Sequence, residues 1–156
     1  MTTVTVSAVT YDDIDDLVTS VAALFKEDGG RHDATVDLVW PAREGAAYYS
    51  SLMGDQACLL VLARDGDRVV GHLVGKLNDP SPIRTGRSAV LESMRVAPSS
   101  RRAGTGSLLV RHFLAWARQR GAEHASVTAY AANDTAQRLY ERHGFRPQNI
   151  TSRATL

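Results

Sequence analysis

With a single cysteine, Cys58, in 156 residues, the chain can build no internal disulfide and no cysteine-rich zinc site. A charge excess is missing as well: eighteen Lys and Arg against seventeen Asp and Glu leave a formal net charge of +1. No global field then favours nucleic acid or a membrane surface, and any anion site has to be local. The longest apolar run, centred on residues 58–63, is far short of the ~20 residues a membrane-spanning helix needs. The start, Met1-Thr2-Thr3-Val4-Thr5, carries neither the basic region nor the apolar core of a secretory signal. The expectation is a soluble cytoplasmic protein with no membrane or nucleic-acid partner. His32, His72, His112, His124 and His143 show no ligand spacing with carboxylates, so no metal is expected.

What is present is ordinary for a folded domain. Hydrophobic residues make up 44% and charged residues 22%, and domains of ~100–150 residues are the commonest size. One domain over residues 1–156 is expected, with a sizeable core in which Cys58 packs as a small hydrophobe.

Alternation and β-branching make residues 3–9 a strand. Asp12-Asp13 then start a helix, in which Ile14, Leu17, Val18, Val21, Ala22 and Phe25 recur at helical spacing until Asp28-Gly29-Gly30. A second helix follows Pro41 through Tyr48, Tyr49 and Leu52. Residues 58–64 and 68–77 read as a hairpin around Asp65-Gly66-Asp67. The prolines of residues 78–82 enforce a loop, and residues 88–96 form a strand stopped by Pro98. The strongest helix is residues 104–120, with Leu109, Val110, Phe113, Leu114, Trp116 and Ala117 on one face. A strand at 125–131, a short helix capped by Asn133 or Asp134 and running to His143, and a last strand at 150–156 complete a β α α β β β α β α β order. One mixed, mostly antiparallel α/β sheet flanked by helices is the economical architecture.

The informative segment is Val96-Ala97-Pro98-Ser99-Ser100-Arg101-Arg102-Ala103-Gly104-Thr105-Gly106-Ser107, where a strand ends in a basic, glycine-containing turn that opens a helix. The first turn of a helix has unpaired N–H groups and a partial charge of roughly +0.5. Gly104 and Gly106 allow close backbone approach, and Arg101 and Arg102 add positive charge, so the turn suits phosphate. The alternative is that the glycines only turn the chain. A P-loop is excluded because no Lys follows either glycine, and a dinucleotide fingerprint because Leu109 stands where its third glycine belongs.

Arg101-Arg102-Ala103-Gly104-Thr105-Gly106 resembles the (Q/R)-x-x-G-x-(G/A) signature of the GNAT superfamily of acetyl-CoA-dependent N-acetyltransferases, preceded by its V-x-P, here Val96-Ala97-Pro98. The run from Asn133 to Phe145 is similar to the family's second signature, N-x-x-A-x-x-(L/F)-Y-x-x-x-G-F. Both occur in family order. The resemblance implies that the amides of residues 101–107 hold the coenzyme A pyrophosphate. It further implies that the pantetheine arm pairs with the strand carrying Met94 and Val96, splayed from the parallel strand at 125–131, and that Asn133 contacts the coenzyme.

Moving an acetyl group from a thioester to an amine needs a neutral amine, a donor for the oxyanion and a proton for the thiolate. Asn133 and Tyr140, seven residues apart, project from nearly the same helix face. The resemblance implies Tyr140 as general acid and the Val96 N–H as oxyanion donor; the plain alternative for Tyr140 is a packed aromatic. Glu92, six residues before Pro98, is the candidate general base, with a structural pair to an arginine as its alternative. Arg95 departs from the apolar or aromatic residue common at its place. Asp28 and Asp33 belong, with Glu27 and Asp37, to a locally acidic stretch that could attract a cationic amine or simply face solvent, and Trp40 could line the same cleft or pack the second helix. A small cationic amine is the expected acceptor. Protein lysine or N-terminal acetylation, and a non-catalytic acyl-CoA-binding regulatory domain, are the alternatives, and a homodimer is expected by family analogy alone.

Overall fold

A computed structural model describes residues 3–156. Met1 and Thr2, which begin the segment read for a signal, lie outside the described residues. The strands are β1 (Val4–Ala8), β2 (Cys58–Asp65), β3 (Arg68–Asn78), β4 (Ser88–Val96) and β5 (His124–Val127), joined in one sheet in that order. Every neighbouring pair is antiparallel except β4–β5, which is parallel. The helices are α1 (Ile14–Leu24), α2 (Gly30–His32), α3 (Ala46–Leu52), α4 (Thr105–Gln119) and α5 (Asp134–Arg142). Five-residue π turns, Phe25–Gly29 and Pro41–Gly45, join α1 to α2 and lead into α3.

Residues alternating along the strands serve two cores, one on each face of the sheet. On one face α4 buries Leu109, Val110, Phe113 and Trp116 against Val61, Leu73, Ala89 and Leu91. Full burial of a side chain such as Phe113 is worth about 1.5–3 kcal/mol. Gly75 of β3 makes this close approach possible, since a Cβ there would stand 3.0 Å from the Phe113 ring. On the other face α1 and α3 bury Leu17, Val21 and Tyr49 against Leu60, Leu62 and Val74. Thr10 and Asp13 form a capping box that starts the first helical turn, with the Thr10 N–H donating to Asp13 at 2.8 Å.

Three sequence expectations need correction. No strand forms over 150–156 among the described residues; Ile150 and Leu156 are fully exposed. That segment is β-branched but finds no apolar surface to cover, and its Arg153 instead reaches Asp33 at 2.8 Å. The strand expected at 125–131 ends at Val127. Cys58 is only half-buried at the rim of the second core, its Sγ 3.7 Å from Asp55.

Candidate active site

The early end of β5 creates the site. Its parallel pairing with β4 runs from Ser88↔His124 to Leu91↔Val127, whereas β4 continues for five more residues to Val96. After Val127 the chain is drawn off the sheet: the Tyr130 ring lies against His32 at 5.1 Å, and the Tyr130 and Ala131 carbonyls accept from Gln137 at 3.2 and 2.9 Å. The two strands splay, leaving an opening edged by β4 residues 92–96 on one side and the approach to α5 on the other.

Backbone geometry aims donors into this opening. The Ala97 N–H donates to the Val70 carbonyl of β3 at 2.7 Å, and successive amides of a strand point to opposite edges. The Val96 N–H therefore faces away from β3, as does that of Met94, two residues earlier in the same register. At the base of the opening, β3 and β4 slip register between Val74 and Gly75, which leaves Glu92 as the unpaired residue of a β-bulge. Glu92 is exposed, and among the described residues it has neither a hydrogen bond nor an ion pair, so the alternative of a structural arginine pair is not met. Its charge is felt on the α3 side: burial first, then Tyr48 and Glu92, push the Tyr49 hydroxyl up to about 12.

At the far end of β4, a single turn (Pro98–Ser100) leads to Arg102 at φ 63° and Gly104 at φ 84°. Gly104 occupies the N-cap of α4 without supplying a side-chain cap, so the first amides of the helix, at Thr105, Gly106 and Ser107, meet no capping group. A Cβ built on Gly104 would meet nothing within 4 Å. Thr105 is buried, and its Oγ1 has no hydrogen-bond partner among the described residues. Gly106 serves packing too, since a Cβ there would stand 3.0 Å from Leu139 of α5. Ser107 is tied to α5 by its Oγ, 3.0 Å from His143 Nε2. Ala103 and Arg102 are exposed on the turn. The Arg101 side chain folds back onto the Val96 carbonyl at 3.1 Å.

On the other side stands α5. Asn133 caps it, accepting from the Ala136 N–H at 3.1 Å, and its Nδ2 donates to Asp28 at 3.1 Å. Two turns on, Tyr140 stacks edge-on against Phe145 at 5.8 Å. Its hydroxyl has no hydrogen-bond partner among the described residues, and burial, with the Asp28 charge, pushes it up to about 12. Asp28 sits in the π turn after α1, also 3.6 Å from His32. Its neighbour Glu27 points to β4 and the basic turn, accepting from Arg95 at 2.7 and 3.0 Å.

The acidic stretch thus divides. Asp28 reaches the opening, but Asp33 is committed to Thr35 and to Arg153, whose guanidinium holds its carboxyl well below the usual range. Trp40 stacks on Phe25 at 5.9 Å and meets Tyr48 and Tyr49 edge-on at 5.4 and 6.2 Å. It lines a shallow depression with Arg43, Glu44, Ala47 and Tyr48, so it both packs the second helix and presents an edge to solvent.

Two residues have contacts that the sequence did not reveal. Glu27, read only as part of the acidic stretch, is one. The other is His72, fully buried, whose Nδ1 lies 2.6 Å from Ser20 of α1 and whose Nε2 lies 2.8 Å from Ser93 beside the bulge. A lone histidine in an apolar strand carries no spacing signal for this bridge. Burial, aided by Arg95, pushes its imidazole down to about 3. The folded state then refuses a proton that the unfolded chain accepts near pH ~6.5. Stability should fall as pH drops from about 6.5 toward 5, above the range where carboxylates titrate. Thermal melts over that window check this, and His72→Gln should flatten the slope, although His143, whose imidazole is also lowered, adds to it with the same sign.

The model of the acetyltransferase (GNAT) family matches residues 20–145. A predicted acetyltransferase from Clostridium acetobutylicum, solved with acetyl-CoA, superposes with a TM-score of 0.79 at 16% identity, over 98% of this chain and 96% of that one. A transcriptional regulator from Bacillus halodurans C-125 gives 0.77 at 23% identity, over 99% and 100%. Aminoglycoside acetyltransferase meta-AAC0020 from an uncultured soil metagenomic sample, in complex with sisomicin, gives 0.73 at 15% identity, over 98% and 96%. No curated protein sequence matches. The structural likenesses carry the fold, and the family model spans most of the sequence: the chain belongs to the GNAT acetyltransferase family.

Proposed function

We propose that this protein, as one GNAT-like domain over residues 1–156, transfers the acetyl group of acetyl-CoA to a primary amine of a small cationic molecule, directly within a ternary complex. The observation that carries the reading is the opening between β4 and β5, with outward N–H groups on one edge, an uncapped helix N-terminus at one end and a half-buried phenol without a hydrogen-bond partner among the described residues across from it. The fit to a diphosphate is supported by the open space at Gly104 and the partnerless Thr105 hydroxyl. Residues 101–107 would hold the pyrophosphate, and the backbone of Met94 and Val96, with Asn133, would line the pantetheine arm. Acetyl-CoA supplies an activated acyl thioester when bound.

The chain's own residues do the rest. The Val96 N–H donates to the oxygen on which charge develops. Tyr140 keeps its proton at neutral pH and offers it to the leaving sulfur. Glu92, unpaired in its bulge, takes the proton of the incoming ammonium through water. Asp28, beside Asn133, is the carboxylate best placed to favour a cation at the opening, Trp40 offers an edge only in the depression beside α3, and Asp33, tied to Arg153, is the weakest member of that set. A small acceptor is also what the related fold with sisomicin holds.

Screening an amine library with acetyl-CoA while following free thiol tests the reading; thiol release with no amine in the library would sink it. The cradle has its own test. Gly104→Val should weaken acetyl-CoA binding by about tenfold or more, and the left-handed φ of 84° should cost stability by roughly 1–2 kcal/mol. Gly104→Ala shares that strain with less bulk, so the excess loss of affinity in the valine variant measures the steric part. Unchanged affinity in a folded Gly104→Val protein would remove the loop from the site.

A further inference from the structure

Glu27 lies 68 residues from Arg95 in sequence, yet its carboxylate is the hub of the charged cluster at the end of β4. It accepts from Arg95 Nη2 at 2.7 Å and Nε at 3.0 Å, the paired geometry that makes Arg–carboxylate contacts strong. Arg101 Nη2 donates to it as well, at 3.3 Å. Arg101 Nε then reaches the Val96 carbonyl at 3.1 Å. The peptide between Val96 and Ala97 is in this way held on both edges, its carbonyl by Arg101 and its N–H by Val70. With that peptide pinned and Arg95 anchored one residue earlier, the backbone at Val96 has little freedom to turn. The Arg95 side chain is 14% exposed and that of Glu27 31%, so the contact is shielded more than a surface ion pair. Glu27 and Asp28 are consecutive in the π turn and point in different directions, so Glu27 faces β4 while Asp28 faces Asn133 on the other side of the opening.

We propose that Glu27 is a positioning residue for the transfer: acting through Arg95 and Arg101, it holds the end of β4 so that the Val96 N–H stays aimed into the opening. What that N–H does there rests on the acetyltransferase reading; the bracing itself does not. Losing an oxyanion donor outright costs about 10²–10³ in kcat, so a donor that is loosened rather than removed should cost about tenfold. The proposal also assigns Arg101 an inward task. Its guanidinium is engaged with Glu27 and Val96, which leaves anion binding to the backbone amides and the exposed Arg102.

The test uses the full chain with Glu27→Gln, which keeps shape and removes charge, and Arg101→Lys, which keeps charge and loses the Nε donor. Three quantities are read: kcat and KM with an amine found in the screen, the acetyl-CoA Kd by calorimetry, and amide hydrogen exchange at Ala97. Both variants should lose about tenfold in kcat, hold the acetyl-CoA Kd within about threefold, and exchange the Ala97 amide about tenfold faster than wild type, with β1 and β2 amides unchanged. Wild-type exchange at Ala97 in either variant overturns the bracing. A loss that falls on KM and the acetyl-CoA Kd instead of kcat overturns the positioning role and makes Glu27 a cofactor-loop residue. If the wild-type protein accepts no amine, the acetyltransferase reading fails by itself, and the exchange experiment still decides whether Glu27 braces β4.

Discussion

Tyr140→Phe should lower kcat by about 10²-fold or more and leave acetyl-CoA affinity near wild type, since a positioned general acid contributes about 10²–10⁴. The substitution removes one oxygen atom and keeps the ring that packs edge-on against Phe145, so the fold and the cleft wall persist. No hydrogen bond within the described residues competes for that oxygen, which makes its loss cheap for the free protein and costly for the reaction. Burial pushes the hydroxyl up to about 12, far above the ordinary thiol value of ~8.5. Transfer to a fully formed thiolate would be uphill, so Tyr140 acts as general acid while the C–S bond is still breaking, its proton passing to the sulfur as charge builds there and being replaced from solvent. Because the phenol stays protonated across the assay range, the deficit should be constant from about pH 6 to 10. Wild-type turnover in the phenylalanine variant would reduce Tyr140 to a packed aromatic.

The parts of this site that are legible in the sequence are those where local chemistry decides structure. Pro98 must stop β4, Gly104 and Gly106 must leave the turn open to close approach, and the apolar face from Leu109 to Ala117 must bury, so the strand, turn and helix follow from residues close in the chain. Asn133 as a cap and Tyr140 two turns later are legible for the same reason. What depends on distant partners is not. The strand expected through 131 ends at Val127 because Gln137 takes the carbonyls of Tyr130 and Ala131, and the last expected strand fails because Ile150 and Leu156 have nothing to cover. Asp33 looks like a free carboxylate until Arg153, 120 residues away, reaches it. Arg95 breaks the apolar pattern of its strand, which is the one sequence trace of the Glu27 contact, but the pattern says nothing about which carboxylate answers it.

Glu92→Gln carries the other large effect, and its sign depends on pH. An alkylamine with a pKa near ~10.4 is almost wholly protonated at neutral pH and must lose a proton before it can attack. Glu92 is the first residue of β4 beyond the Leu91↔Val127 pair, left over by the bulge, exposed, and in no ion pair or hydrogen bond among the described residues. A carboxylate in that state can take the proton through water and return it to solvent. The glutamine variant keeps the side-chain shape and loses only the basic oxygen. At pH 6–7 it should fall by about 10²-fold in kcat/KM, within the range for a general base. As pH rises toward 9–10, free amine arrives already deprotonated, the base becomes unnecessary, and the deficit should shrink toward parity. A loss of equal size at every pH would mean that Glu92 orients the acceptor by charge, and full activity at pH 6 would leave the bulge a structural feature of β4 alone.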